Sequence, residues 1–173
     1  TVIASASGTI SNTATGEIQG FDLSGIFLDT GATGIHTITN AGIIGGGGFG
    51  FAIESLSAAG TNKVSNSGTL LGGLSFLGSS DSITNTGKGL KGIFGDVDLG
   101  DGTNSVTNSG VIDGFIFGGL GADTVNNSGT LFGDVLLLAG TNTVSNTGLI
   151  VGSVVLLEGA DKFTNSGKGV ITG

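Results

Sequence analysis

The chain has no cysteine, proline, methionine, tryptophan, tyrosine or arginine. Lack of cysteine removes disulfides and thiolate chemistry, and leaves an extracellular location permitted. Lack of Trp and Tyr removes the rings on which wide-cleft glycan binders stack sugars. Its five lysines face ten Asp and three Glu, for a net charge of −8. That balance argues against nucleic acid and anionic membranes, which are bound through Lys/Arg clusters. No apolar run approaches the roughly 18 residues of a membrane-spanning helix, so direct membrane insertion is not expected. No signal peptide is evident and the chain opens on Thr1, which reads as a processed piece of something longer.

What the chain has in abundance is glycine, 37 of 173 residues, and it is periodic. Hydrophobic residues make up 38%, enough to bury a core. The recurring unit is Gly140-Thr141-Asn142-Thr143-Val144-Ser145-Asn146-Thr147-Gly148, with the constant centre Asn-small-Gly. Asn66, Asn85, Asn108, Asn127, Asn146 and Asn165 carry that centre. Neighbouring copies are 19 residues apart, except for 23 between Asn85 and Asn108, where Lys88 to Gly92 is inserted. Self-similarity at a fixed short period marks a repeat architecture. Residues 66–173 read as regular coils and 1–65 as irregular coils with insertions, all within one domain.

A coil of 19 residues has no room for an ordinary helix, and its alternation broken by Gly reads as short strands and turns. Counting from Asn127, Leu131, Val135, Leu137 and Val144 fall at +4, +8, +10 and +17. They are assigned inward because strand side chains alternate faces. Glycines at +2 and +6 serve corners that need φ > 0 or close backbone approach. The expected fold is an all-β parallel β-solenoid of about eight coils, roughly 38 Å long at about 4.8 Å per rung.

The run Ile150-x-Gly152-x-Val154-x-Leu156, then Gly159-Ala160-Asp161-x-Phe163-x-Asn165-Ser166-Gly167, resembles repeats in passenger regions of bacterial autotransporters. The resemblance extends from about Ile38 onward. It implies a right-handed β-helix, secretion to the bacterial cell surface, and an adhesive or structural role.

Four sets of residues are candidates for more than framework. The Asn-Gly column is assigned to a structural amide ladder. A second column, Asn62, Asp81, Asn104, Asp123, Asn142 and Asp161, alternates Asn with Asp. Alternation keeps like charges about 10 Å apart instead of about 4.8 Å, about a Debye length in physiological salt, and lets Asp accept from Asn. Gly118 to Asn126 fits the calcium nonapeptide G-G-x-G-x-D-x-U-x around Asp123. It occurs once and lacks a facing copy, so no metal or cofactor is assigned. Asp96, Asp98, Asp101, Asp113 and Asp134 cluster in the sequence and are assigned as solvated outward charges. The one histidine, His36, is assigned to surface or loop, beside inward Ile35 and Ile38. No catalytic residue is assigned.

A fifth set is apolar where water is expected. Reading +5 to +11 as one outward strand face gives Leu71, Leu77, Phe94, Phe115, Phe117, Phe132, Leu136, Leu138, Val151, Val155 and Leu157. A strip of that length exceeds what soluble monomers normally expose. A loop such as Gly45 to Phe51 cannot cover five coils. The expectation is a non-enzymatic extracellular rod that self-associates through this face, with uncapped ends stacking into a fibre. Two alternatives stand beside it: an adhesin stalk binding a host or surface partner through the N-terminal insertions, and a carbohydrate-active β-helix enzyme.

Overall fold

The computed structural model describes residues 2–4, 6–31, 33–48 and 50–173. Among them are 24 short strands and no helix, arranged as three parallel sheets of eight strands each. Every third strand in the chain joins the same sheet, so each rung gives one strand to each sheet. In one rung, Thr124–Asn127 lies in the second sheet, Thr130–Phe132 in the third and Val135–Ala139 in the first. This is the parallel β-solenoid expected from the sequence. From the strand containing Asn66 onward, the six rungs follow the 19-residue spacing with the one 23-residue exception.

The core consists of stacked columns of branched side chains. Ile38, Val64, Ile83, Val106, Val125 and Val144 run down the second sheet, all at most 2% exposed. Ile44, Leu70, Ile93, Ile112, Leu131 and Ile150 form the matching column of the third. One rung cannot bury three apolar faces by itself, so each draws its stability from the rungs above and below. Phe163, in register with buried Val144, is 44% exposed.

The two glycine positions solve different problems. Gly133 and Gly152, at +6, have φ of 152° and 156° and turn the chain from the third sheet into the first. Gly148, at +2, needs no unusual φ, but a Cβ there would collide with the carbonyl oxygen of Gly129 one rung away. Gly148→Ala is therefore expected to cost about 1–3 kcal/mol by overpacking, read as a lower denaturation midpoint with an unchanged strand signature in circular dichroism.

Candidate interaction surface and the buried ladders

The apolar outward residues do not share one strand face. Because Gly at +6 turns the chain, alternation is interrupted, and +4 and +8 both point inward from different sheets. Leu71, Phe94, Phe132 and Val151 lie on the third sheet, in a column broken by Asp113. Phe117, Leu136 and Val155 are in register on the first sheet, with Leu138 and Leu157 two residues further along their strands. Phe115 sits at the corner between the two, its ring centroid 5.7 Å from that of Phe117. Phe94, Phe117 and Leu136 are half-buried and the other eight are exposed. The single strip expected from the sequence is thus two stripes flanking a corner.

The stripe on the first sheet is the more continuous. Leu138 and Leu157 line a shallow groove of about 520 Å³ with Leu120, Ala139 and Glu158. Leu120, 60% exposed, was missed from sequence because at +12 it lies past the alternating stretch. The loop from Gly46 onward stays at its own corner, where Gly46 N–H donates to Leu71 O and Gly47 N–H to Leu23 O. Phe49 of that loop lies outside the described residues.

Two polar ladders bracket the second sheet. At its downstream end the Asn column is unbroken over eight rungs, from Asn12 and Asn40 through to Asn165. Each Nδ2 donates to the next Oδ1 at 2.8–2.9 Å. Most of these amides also donate to main-chain carbonyls at the turn; Asn127 Nδ2 reaches Leu149 O at 3.0 Å. The column's amides are bonded to one another and to turn carbonyls within the rod.

The second column lies at the upstream end and is also inside the rod. Asn62, Asp81, Asn104, Asp123 and Asn142 are all at most 2% exposed. Each Asp takes two bonds from the preceding Asn: Asn62 N–H and Nδ2 donate to Asp81 Oδ1 at 2.7 and 3.0 Å, and Asn104 does the same to Asp123 at 3.0 Å. In return Asp81 N–H donates to Asn104 Oδ1 and Asp123 N–H to Asn142 Oδ1, both at 2.9 Å. The reason for the alternation needs correction. Salt screening does not reach buried groups; what limits a carboxylate here is desolvation. Oδ2 of both Asp81 and Asp123 is buried without a partner. Burial lifts Asp81 to about 6 from the ordinary 3.8, against the lowering effect of its bonds from Asn62 and Ser79. Burial also raises Asp123, and the charge of Asp101 adds to the rise.

A carboxyl held above its unfolded value binds more protons in the folded state, so its contribution is full below the unfolded value and is lost as pH rises through the folded one. For Asp81 that window runs from about pH 4 to about pH 6, and the gap corresponds to about 3 kcal/mol. Asp81→Asn is expected to remove this slope and to raise stability at neutral pH relative to the parent. Denaturant midpoints taken from pH 4 to 7 check it; parallel curves for parent and variant contradict it.

His36 is not on the surface. It is 2% exposed, in register with Asn62 at the head of the same column, and its Nε2 pairs with Ala6 O at 2.7 Å. It stands four residues before Asn40, as Asn62 stands four before Asn66. Ile35, assigned inward, is 53% exposed; Ile38 is the buried one. The acidic cluster is spread out: Asp98 and Asp113 lie on strands, while Asp96, Asp101 and Asp134 lie between strands and cap the next rung. Phe115 N–H donates to Asp96 Oδ1 at 2.8 Å, Leu120 N–H to Asp101 at 2.7 Å and Ser153 N–H to Asp134 at 2.7 Å. Among the described residues, no three His, Asp or Glu side chains converge in a way that could hold a metal ion. Asp123 stands alone inside the rod, with its Oδ1 taken by Asn104.

Compared with family models, curated proteins and solved structures, the chain matches none.

Proposed function

We propose that this protein is a non-enzymatic structural rod of a bacterial cell surface, secreted in the manner of autotransporter passengers, that self-associates through its apolar first-sheet stripe. The observation that carries this reading is the alignment of exposed Leu138, Val155 and Leu157 on successive rungs beside the Leu120 groove. Scattered exposed hydrophobics are ordinary, but a contiguous row marks an interaction site. Among the described residues Asp81, Asp123 and His36 are buried within the rung framework and not set in an open cleft, which supports the structural reading.

The test is sedimentation velocity with negative-stain electron microscopy on the parent and on the double variant Leu138→Lys/Leu157→Lys. The parent is expected to form paired rods or filaments and the variant single rods with an unchanged thermal midpoint, since both side chains lie outside the core. Monodisperse single rods of the parent across a wide concentration range would overturn the proposal.

A further inference from the structure

The outward face of the second sheet differs from every other surface of the rod. Three columns of side chains run down it over eight rungs, fixed in register by the strand pairing and by the main-chain bonds that follow each ladder Asn. A typical rung presents Ser105, Thr107 and Ser109; another presents Thr143, Ser145 and Thr147. Serine or threonine occupies six, seven and seven of the eight positions in the three columns, and the exceptions are Lys63, Lys162, Asn126 and Ala41. None of the chain's 13 carboxylates is on this face. The two lysines are confined to the first column, so the other two are uncharged throughout. All of these positions are exposed or half-exposed.

We propose that this hydroxyl lattice is an ice-binding surface. Hydroxyls repeat at about 4.8 Å from rung to rung and at about 6.7 Å along each strand, two residues at about 3.3 Å each. Both repeats lie near the oxygen repeats of hexagonal ice. Shallow troughs run between the columns: one of about 180 Å³ beside Ser65, Ser67, Thr84 and Thr86, another of about 150 Å³ beside Thr107, Ser128, Ser145 and Thr147. Their rims are hydroxyls, which supply the two to four polar partners that ordered water needs.

The lattice is also held still. Ser67, Thr86 and Ser128 each donate their hydroxyl to the preceding ladder Asn carbonyl at 3.2–3.3 Å. The two ladders flank the sheet on its inner side, and side-chain ladders are among the few devices that keep a broad sheet flat. Charge selects among occupants. A chain of net −8 that keeps every carboxylate off one face presents a neutral surface, suited to a neutral lattice and unsuited to a cationic mineral or a basic protein. A crystalline sugar would call for stacked aromatic rings, and this face has none.

The experiment uses the full chain with polycrystalline ice as the probe. Fluorescently labelled parent is expected to be taken into a slowly growing ice hemisphere and to produce thermal hysteresis. Thr84→Lys, Thr107→Lys and Ser145→Lys, each outward in the middle column, are expected to abolish most of both with no change in the circular dichroism spectrum. Phe132→Lys, on the third sheet, is expected to leave both intact. The Leu138→Lys/Leu157→Lys variant is run alongside. Retained ice uptake there shows that the lattice works without self-association. The proposal is overturned if folded parent is excluded from ice, if the three lysine variants match it, or if the same variants instead abolish retention on microcrystalline cellulose.

Discussion

Asn127→Ala is expected to lower stability by about 3–5 kcal/mol, among the largest losses any single side chain of this rod can cause. Asn127 is 3% exposed and sits mid-ladder. Its Oδ1 accepts from Asn108 Nδ2 at 2.8 Å, and its Nδ2 donates to Asn146 Oδ1 at 2.9 Å and Leu149 O at 3.0 Å. These three bonds, two of them buried, vanish at about 1 kcal/mol each, and the groups they served lose partners at a further cost of about 1–3 kcal/mol. Some of those groups keep a partner: Asn108 Nδ2 still reaches Thr130 O at 3.1 Å, and Asn146 Oδ1 still receives Gly148 N–H at 3.2 Å. That holds the loss below the simple sum. The comparison that makes the prediction sharp is Asn165→Ala. Asn165 is exposed; its Nδ2 donates to Gly169 O at 3.1 Å and its Oδ1 accepts from Asn146 Nδ2, which also keeps Gly148 O and Val170 O. Its loss is expected to cost about 1 kcal/mol. Urea titrations of both variants check the ranking; equal losses would show that the ladder carries no position-dependent weight.

The rung was legible in the sequence because its inward positions repeat without slippage. Leu131, Val135, Leu137 and Val144 were assigned to the core from spacing alone, and all are at most 1% exposed. The Asn ladder was legible for the same reason. What stayed hidden was geometry that spacing does not encode. Gly133 and Asp134 read as part of one strand, but a φ of 152° at Gly133 makes them a corner, so Phe132 and Leu136 face different directions. The depth of the Asp/Asn column was also invisible. Asp81 and Asp123 precede their inward residues by two, which places them on the same side as the core, but charge led them to be read in terms of salt. His36 belongs to that column too, four residues before Asn40 as Asn62 is before Asn66; a residue type unlike Asn or Asp, and not its spacing, set it apart. The hydroxyl face was written plainly as Ser-x-Thr alternation in rung after rung. It drew no notice because Ser and Thr on an exposed strand are ordinary one rung at a time; the in-register stack turns them into a lattice.

Asn142→Asp is expected to destabilise the rod by several kcal/mol at neutral pH and by little at pH 3. The substitution keeps the shape and preserves an oxygen to accept Asp123 N–H, which Asn142 Oδ1 now does at 2.9 Å. It changes the charge pattern instead. Asp123, position 142 and Asp161 would be carboxyls on three consecutive rungs about 4.8 Å apart. Asn142 is fully buried, so the new group carries its own desolvation cost. At an effective dielectric near 20, each neighbouring pair repels by about 3 kcal/mol. The protein's escape is protonation, which moves the new carboxyl's folded value upward, the direction already seen for Asp123. Stability is then full below the unfolded value near 4 and falls as pH rises past it. Asn142→Ala is the control: it loses the acceptor that Asp keeps but adds no charge, and its penalty is expected to be the smaller of the two at neutral pH, with no extra slope against pH. Thermal midpoints of both variants from pH 3 to 8 decide the matter. If Asn142→Asp is as costly at pH 3 as at pH 8, shape and not charge governs the column, and the alternation of Asn with Asp has another cause.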